Sequence, residues 1–405
     1  MELTHYKNIS QLITLESAHA KDGRNILPED LSKIEEASIV FNEDEILWVG
    51  PTLKLPSDYA DAMTIDLHGK TVLPEIVDSH THLVFGGDRS FEYSMRLNGA
   101  DYQAIADAGG GILSTMEKTI TASEEELFES GVKRVNAIKS YGIKTIEMKS
   151  GYGLTFESER KICKVIQRLK EHFKNEVQIF CTFLAAHAVP KNFSSSSEFI
   201  HKVVLPLMHE LAEDKLIDFV DIFHEQGYFS LKDSQELFEA ATALHLKCKI
   251  HADEFNDNKG AVLATEFNAL SADHLLCTTQ DGIEALAKSD TVATLLPGTA
   301  FFLGKPLADA QSFLQAGCKV ALASDYNPGS CHCDNLILIA SIAAKQMGFN
   351  LGQLWTALCL NSAHALDLKN QGTIQKGFKP RFSIFDCESV DKITYHWGKN
   401  LAIEV

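Results

Sequence analysis

The chain is short of positive charge. Lys and Arg number 37 against 55 Asp and Glu, a formal balance of −18. Such a field argues against sequence-independent binding to nucleic acid or to an anionic membrane. Long apolar runs are missing too: none approaches the roughly 18 uninterrupted residues that a membrane-crossing helix needs. The N-terminus, MELTHYKNISQLITLES, has no basic stretch followed by an apolar one, so no secretory leader is expected. Several catalytic patterns are absent. There is no Gly-x-Ser-x-Gly elbow, no P-loop and no Rossmann Gly-x-Gly-x-x-Gly, since Gly109-Gly110-Gly111 lacks the spacing. No Cys-x-x-Cys pair occurs among the nine cysteines. Many of them sit in apolar strings such as Phe180-Cys181-Thr182-Phe183, which predicts reduced, buried thiols in a cytoplasmic protein. Cys331-His332-Cys333 also reads as free thiols, because three adjacent ligands on one short loop are sterically awkward around a metal.

What remains is a globular composition. With 405 residues, 45% of them hydrophobic and 23% charged, the chain can bury a large core and is neither disordered nor fibrous. Strand-like segments mark both ends, near 9–15, 37–41 and 46–49 and again near 382–385 and 393–396. Between them the rhythm changes to eight apolar runs, near 76–83, 143–148, 177–184, 219–223, 247–250, 270–274, 292–296 and 319–323. Helical stretches such as 155–173, 231–244 and 283–288 separate them. Eight strand-then-helix units predict an α/β fold, a (β/α)8 barrel of the TIM type over 73–372. Residues 1–72 and 373–405 would join as a small composite β domain. The span from 83 to 143 is longer than one helix needs and carries Gly86-Gly87, Gly99 and Gly109-Gly110-Gly111, so it reads as a candidate lid.

Chemistry-bearing residues gather at the ends of these runs. In a strand, residues two apart share a face. His80 and His82, in Asp78-Ser79-His80-Thr81-His82, would therefore project together from the first run. His251 closes the fifth run, His274 the sixth and Asp325 the eighth. The carboxyl ends of barrel strands are where catalytic groups converge. Imidazoles with a carboxylate there suit a transition metal. A metal with Asp325 and Glu254 nearby implies hydrolysis, with metal-activated water as nucleophile and carboxylates moving protons. His187 and His224 follow the third and fourth runs and compete for a place in the site. His172, His201, His209 and His245 lie in or near helical stretches and read as surface or packing residues.

Longer blocks carry a resemblance. His80-Thr81-His82-Leu83-Val84-Phe85-Gly86-Gly87, Lys149-Ser150-Gly151-Tyr152-Gly153-Leu154, Lys249-Ile250-His251-Ala252-Asp253-Glu254, Ser271-Ala272-Asp273-His274-Leu275 and Asn327-Pro328-Gly329-Ser330 resemble the imidazolonepropionase family of the amidohydrolase superfamily, in the family's order. The resemblance implies hydrolysis of 4-imidazolone-5-propanoate, a small-molecule substrate, to N-formimidoyl-L-glutamate in histidine degradation. It implies one divalent metal per chain, zinc or iron, held by His80, His82, His251 and Asp325. Glu254, His274 and Asp325 would be catalytic. Substrate contacts would fall on Arg89, Tyr152, His187, Glu254, Asn327, Gly329 and Ser330. A homodimer is left open. Related enzymes with two metals use a carboxylated lysine on the fourth strand. Here that strand ends Asp221-Ile222-Phe223-His224-Glu225, without one, and Lys149 reads as a structural or substrate-side cation. Several segments depart from the usual pattern, among them Cys331-His332-Cys333, which replaces a more usual small or Pro-containing turn, and two further ones. Glu75 stands where the family commonly has glycine, and Gly377-Phe378-Lys379-Pro380-Arg381-Phe382 replaces the superfamily's usual Ala-Asp.

Overall fold

The computed structural model describes residues 2–100, 108 and 110–405. Fourteen strands among the described residues form two sheets. The first sheet takes β1 (Thr4–Ile13), β2 (Lys33–Phe41), β3 (Ile46–Pro51) and β4 (Met63–Pro74) from the N-terminal side. The second takes β5 (Ile76–Asp78), β6 (Ile143–Lys149), β7 (Gln178–Ala186), β8 (Phe219–His224), β9 (Lys247–Ala252), β10 (Ser271–His274), β11 (Val292–Leu295) and β12 (Val320–Leu322). The chain then returns to the first sheet with β13 (Phe382–Phe385) and β14 (Ala402–Ile403). The order in that sheet is β14-β13-β4-β1-β2-β3, so both ends of the chain build it. Its own apolar core includes Ile9, Leu12, Ile39, Val72, Ile374 and Ile384.

Strands β5 to β12 lie side by side in chain order and pair in parallel, which is the expected barrel. Stretches such as VATL in β11 and QIFCTFLAA in β7 are apolar and almost wholly buried, as a sheet covered on both faces requires. Closure falls just beyond the strand ends. The amide of Asp325 donates to the His80 carbonyl at 3.0 Å, and the amide of His82 to the Tyr326 carbonyl at 2.9 Å. Below this seam the Asp78 carboxylate accepts from the Ser324 amide at 3.0 Å and from its hydroxyl at 2.6 Å. The same residues that bring His80, His82 and Asp325 into the mouth thus close the barrel.

Two expectations change. Residues 393–396 are not a strand; they fall in and beside a short helix, Asp391–Tyr395, which buries Ile393. The span from 83 to 143 is largely helical, with helices at Ser90–Leu97, Ile112–Thr121 and Glu124–Lys139. Gly111, at φ 88°, sits before the second of these, while Gly109 of the same triplet lies outside the described residues. No described helix is long and apolar enough to cross a membrane. All nine cysteines are unpaired, Cys331 and Cys333 included.

Candidate active site

The carboxyl ends of β5, β9, β10 and β12 converge on one buried cluster. One ring nitrogen from each of His80, His82 and His251 lies within 4.8 Å of the others. An Asp325 oxygen is 3.6 Å from His80 Nε2 and 3.5 Å from His82 Nε2. The other Asp325 oxygen accepts from the Thr299 hydroxyl at 2.5 Å, which fixes the carboxylate's orientation. His274 joins the same group, with its ring 5.2 Å from that of His251 and 5.5 Å from that of His80. Backbone geometry explains how so many groups reach one point. His274 has φ 80° and Asp325 φ 50°, left-handed values that break strand alternation. Asp273 and His274 are consecutive, yet both face the cluster.

Beneath the mouth lies a layer of charge inside the barrel. Asp273 Oδ2 is 2.7 Å from His80 Nδ1, and Asp221 Oδ2 is 3.0 Å from His251 Nδ1. Lys149 donates to Asp221 at 2.7 Å and to Glu147 at 2.9 Å; Lys249 donates to the Ser79 carbonyl at 2.8 Å. The side chains of Lys149, Lys249, Glu147, Asp221 and Asp273 are wholly inaccessible to solvent. Lys149 is therefore structural and does not reach the substrate side. With Asp325, two lysines face four carboxylates, an excess of two negative charges that a divalent cation would neutralise. His80 Nε2 and His251 Nε2 have no hydrogen-bond partner. Unpartnered ring nitrogens converging beside a carboxylate, in a site short of two positive charges, fit a bound divalent metal.

Burial and charge set the protonation of the site. Burial, together with neighbouring cations, holds His80, His82 and His274 well below the ordinary histidine value. Burial above all brings His187 down to about 4. All four rings are neutral at pH 7. Burial also raises Asp325 to about 6, and it raises Glu254, beside the charges of Asp325 and Glu225, to about 8. Burial alone would raise Asp221, but His251 and Lys149 outweigh it and hold that carboxyl far below its usual range. Tyr152 is pushed up by burial and by Asp325, so its phenol keeps its proton.

The remaining site residues form the wall and rim. His187 stacks on His82 with ring centres 5.3 Å apart, and Tyr152 lies 5.8 Å from His82 and 5.5 Å from His187. Gly151 makes this approach possible, since a Cβ there would come 2.7 Å from the Leu184 carbonyl and 2.9 Å from His187 Nδ1. Glu254 Oε2 is 3.7 Å from His274 Nε2. At the rim, Arg89 donates to Glu92 at 2.9 and 2.7 Å and lies against Gly329. Asn327 turns its amide into its own loop, donating to the Asp325 carbonyl and the Ser330 hydroxyl and accepting from the amides of Gly329 and Ser330. His224 does not join the cluster; its two ring nitrogens pair with the Ser234 hydroxyl and the Asn258 carbonyl. Sequence reasoning assigned no role to Asp273, Asp221 or Glu147. Their one visible trace is charge inside otherwise apolar strands, with Glu147 and Lys149, and Lys249 and His251, two apart on shared faces.

A parallel barrel with a His-rich, carboxylate-bearing cluster at the carboxyl ends of its strands defines a hydrolase of the amidohydrolase class. The amidohydrolase family matches residues 71–402. The imidazolonepropionase of Staphylococcus saprophyticus subsp. saprophyticus is 40% identical, over 98% of this chain and 95% of its own length. That of Geobacillus kaustophilus is also 40% identical, over 97% and 93%. Among solved structures, triazine hydrolase from Arthobacter aurescens matches with a TM-score of 0.72 at 14% identity, covering 99% of this chain and 92% of that one. Guanine deaminase from C. acetobutylicum matches with a TM-score of 0.67 at 13% identity, over 95% and 91%. At such low identity these two speak for the fold. The chain belongs to the amidohydrolase family and, within it, to the imidazolonepropionases.

Proposed function

We infer that this chain hydrolyses the ring C–N bond of 4-imidazolone-5-propanoate, giving N-formimidoyl-L-glutamate in histidine degradation. The observation that carries this reading is the near full-length likeness to imidazolonepropionases joined to the buried cluster of His80, His82, His251 and Asp325. These four would hold one divalent ion, zinc or iron, since a His₃Asp set suits either. When bound, that ion supplies Lewis acidity, which makes water nucleophilic near neutral pH.

The chain's own groups carry the rest. Asp325, the more acidic carboxyl, takes a proton from the attacking water. The oxygen adds to the ring carbonyl, and neutral His274 donates a hydrogen bond to the developing oxyanion. Glu254, still protonated at neutral pH, delivers its proton to the ring nitrogen as the C–N bond breaks. The proton gained by Asp325 then restores Glu254 through solvent. Arg89 and the amides of Gly329 and Ser330 receive the propionate. Tyr152 and His187 form the wall against the ring, and Asn327 holds the Gly329-Ser330 turn in shape. We divide the chain into a barrel, 73–372, and a composite β domain, 1–72 with 373–405. The nine unpaired thiols support a cytoplasmic setting.

The test is ring opening of 4-imidazolone-5-propanoate, followed by ultraviolet absorbance, with metal content measured on the same sample. Turnover with one zinc or iron per chain is expected. Turnover of a purine or pyrimidine in its place, or two metals per active chain, would overturn this reading.

A further inference from the structure

Lys149 makes a connection that substrate binding does not use. Its Nζ is 2.7 Å from Asp221 Oδ2 and 3.6 Å from Asp273 Oδ2. Those same two oxygens face the ligand histidines from behind: Asp221 Oδ2 lies 3.0 Å from His251 Nδ1, and Asp273 Oδ2 lies 2.7 Å from His80 Nδ1. One ammonium therefore hydrogen-bonds the oxygen behind His251 and lies within ion-pair distance of the oxygen behind His80. A third contact, to Glu147 Oε1 at 2.9 Å, holds the lysine itself. Glu147 is fixed in turn by the Thr182 hydroxyl.

The donor and acceptor chemistry of this chain of contacts leaves little freedom. An ammonium has three donors and no acceptor, and an ionised carboxylate only accepts. Ionised carboxylate oxygens only accept, so the ring nitrogens that face them are the donors. His80 and His251 are then both Nδ1–H tautomers, and both turn the Nε2 lone pair toward the cluster. Both Nε2 atoms are without a hydrogen-bond partner; His80 Nδ1 is hydrogen-bonded to Asp273, while His251 Nδ1 meets Asp221 Oδ2 as a close ionic contact at 3.0 Å. A lysine is suited to this place because its charge is a compact point with three donors that can serve several carboxylates at once.

We infer that Lys149 is a positioning residue for the metal: a fixed internal cation that locks Asp221 and Asp273 together and so sets the tautomer and aim of His251 and His80 at once. The inference rests on the metal reading proposed above. It assigns Lys149 no contact with substrate and no part in proton transfer. Lys249 serves as the comparison. It is as deeply buried, but its Nζ is 4.0 Å from Asp273 and its closest partners are the Ser79 carbonyl and Glu147.

Zinc affinity of the purified chain, read by chelator competition, tests this without reference to turnover. K149Q is one atom shorter, keeps a polar end with two donors and removes the charge. It should bind zinc about 10- to 100-fold more weakly than wild type, the loss typical of removing a partner behind a metal ligand. K249Q should lose less. Equal affinity in K149Q and wild type, or an equal loss in K249Q, would overturn the inference. Wild type that binds no zinc or iron would instead overturn the metal reading itself. Should K149Q fail to fold, nitrogen-15 NMR of the imidazoles in metal-free wild type decides. Nδ1–H on both His80 and His251 is expected, and Nε2–H on either would overturn the proposal.

Discussion

Two carboxyls of the mouth sit close together and titrate apart. Burial raises both, but Glu254 also lies in the negative fields of Asp325 and Glu225 and reaches about 8, while Asp325 stops at about 6. Between those values Asp325 is ionised and Glu254 protonated, as the proposed base and acid roles require, and the difference follows from environment and not from residue type. As pH rises through about 8, Glu254 loses the proton that the proposed mechanism has it deliver. The alkaline limb of kcat/KM should therefore fall near that pH, and E254Q should remove the limb while lowering kcat about 100-fold or more. A pH-rate profile of both proteins checks this. At the rim the decisive residue has no side chain. A Cβ on Gly329 would lie 1.9 Å from Arg89 Nη1, so G329A must push the guanidinium away from its place. Steady-state kinetics of G329A should show KM raised about tenfold with kcat little changed, the pattern of lost substrate binding. Some of this scale was open to sequence reasoning. His80 and His82 follow from alternation alone. Asp273 does not, because alternation lets only one of Asp273 and His274 face inward, and the left-handed backbone at His274 that admits both is a property of the folded chain.

At the scale of elements, two of the unusual segments of the sequence meet. Arg381, just before β13, donates to Glu75 at 2.6 Å, and Glu75 also accepts from Thr145 of β6 at 2.7 Å. One ion pair thus ties the terminal sheet to the second barrel strand, with Glu75 fully buried and Arg381 partly so. Neither departure is intelligible alone, and their pairing could not be read from positions 306 residues apart. Removing one partner of a buried pair strands the other charge. R381M should then cost about 2–3 kcal/mol in urea unfolding, discounted for the partial exposure of the arginine. E75Q with R381M should recover part of that loss, because no charge is left stranded. Other elements show where local pattern fails. The eight barrel runs were legible because each is apolar, short and bounded by a helix. The long β4 was hidden by left-handed residues His68 and Gly69 within it, and the register against β1 shifts nearby. Residues 393–396 look like a strand in composition, yet the helix Asp391–Tyr395 wins by burying Ile393 while Ser389 accepts from the Asp391 amide.

For the whole molecule, the charge balance and the substrate pull in opposite directions. A chain with a balance of −18 repels an incoming propionate at long range. The cations inside the barrel do not offset this, because Lys149 and Lys249 are closed off by Glu147, Asp221 and Asp273. Attraction is left to Arg89, the rim amides and a bound metal, all of which act within about 8 Å, the screening length at physiological salt. Recognition is then local, whereas repulsion extends over the whole surface. Added salt should weaken the second more than the first, because exposed, distant charges are screened more fully than buried, close ones. Raising ionic strength from about 20 to about 300 mM, at constant pH and metal, should raise kcat/KM by about two- to threefold, with little change in kcat. A neutral amide analogue of the propionate should show a flatter dependence. A fall in kcat/KM with salt for the anionic substrate would mean that a positive approach path outweighs the net charge of the chain.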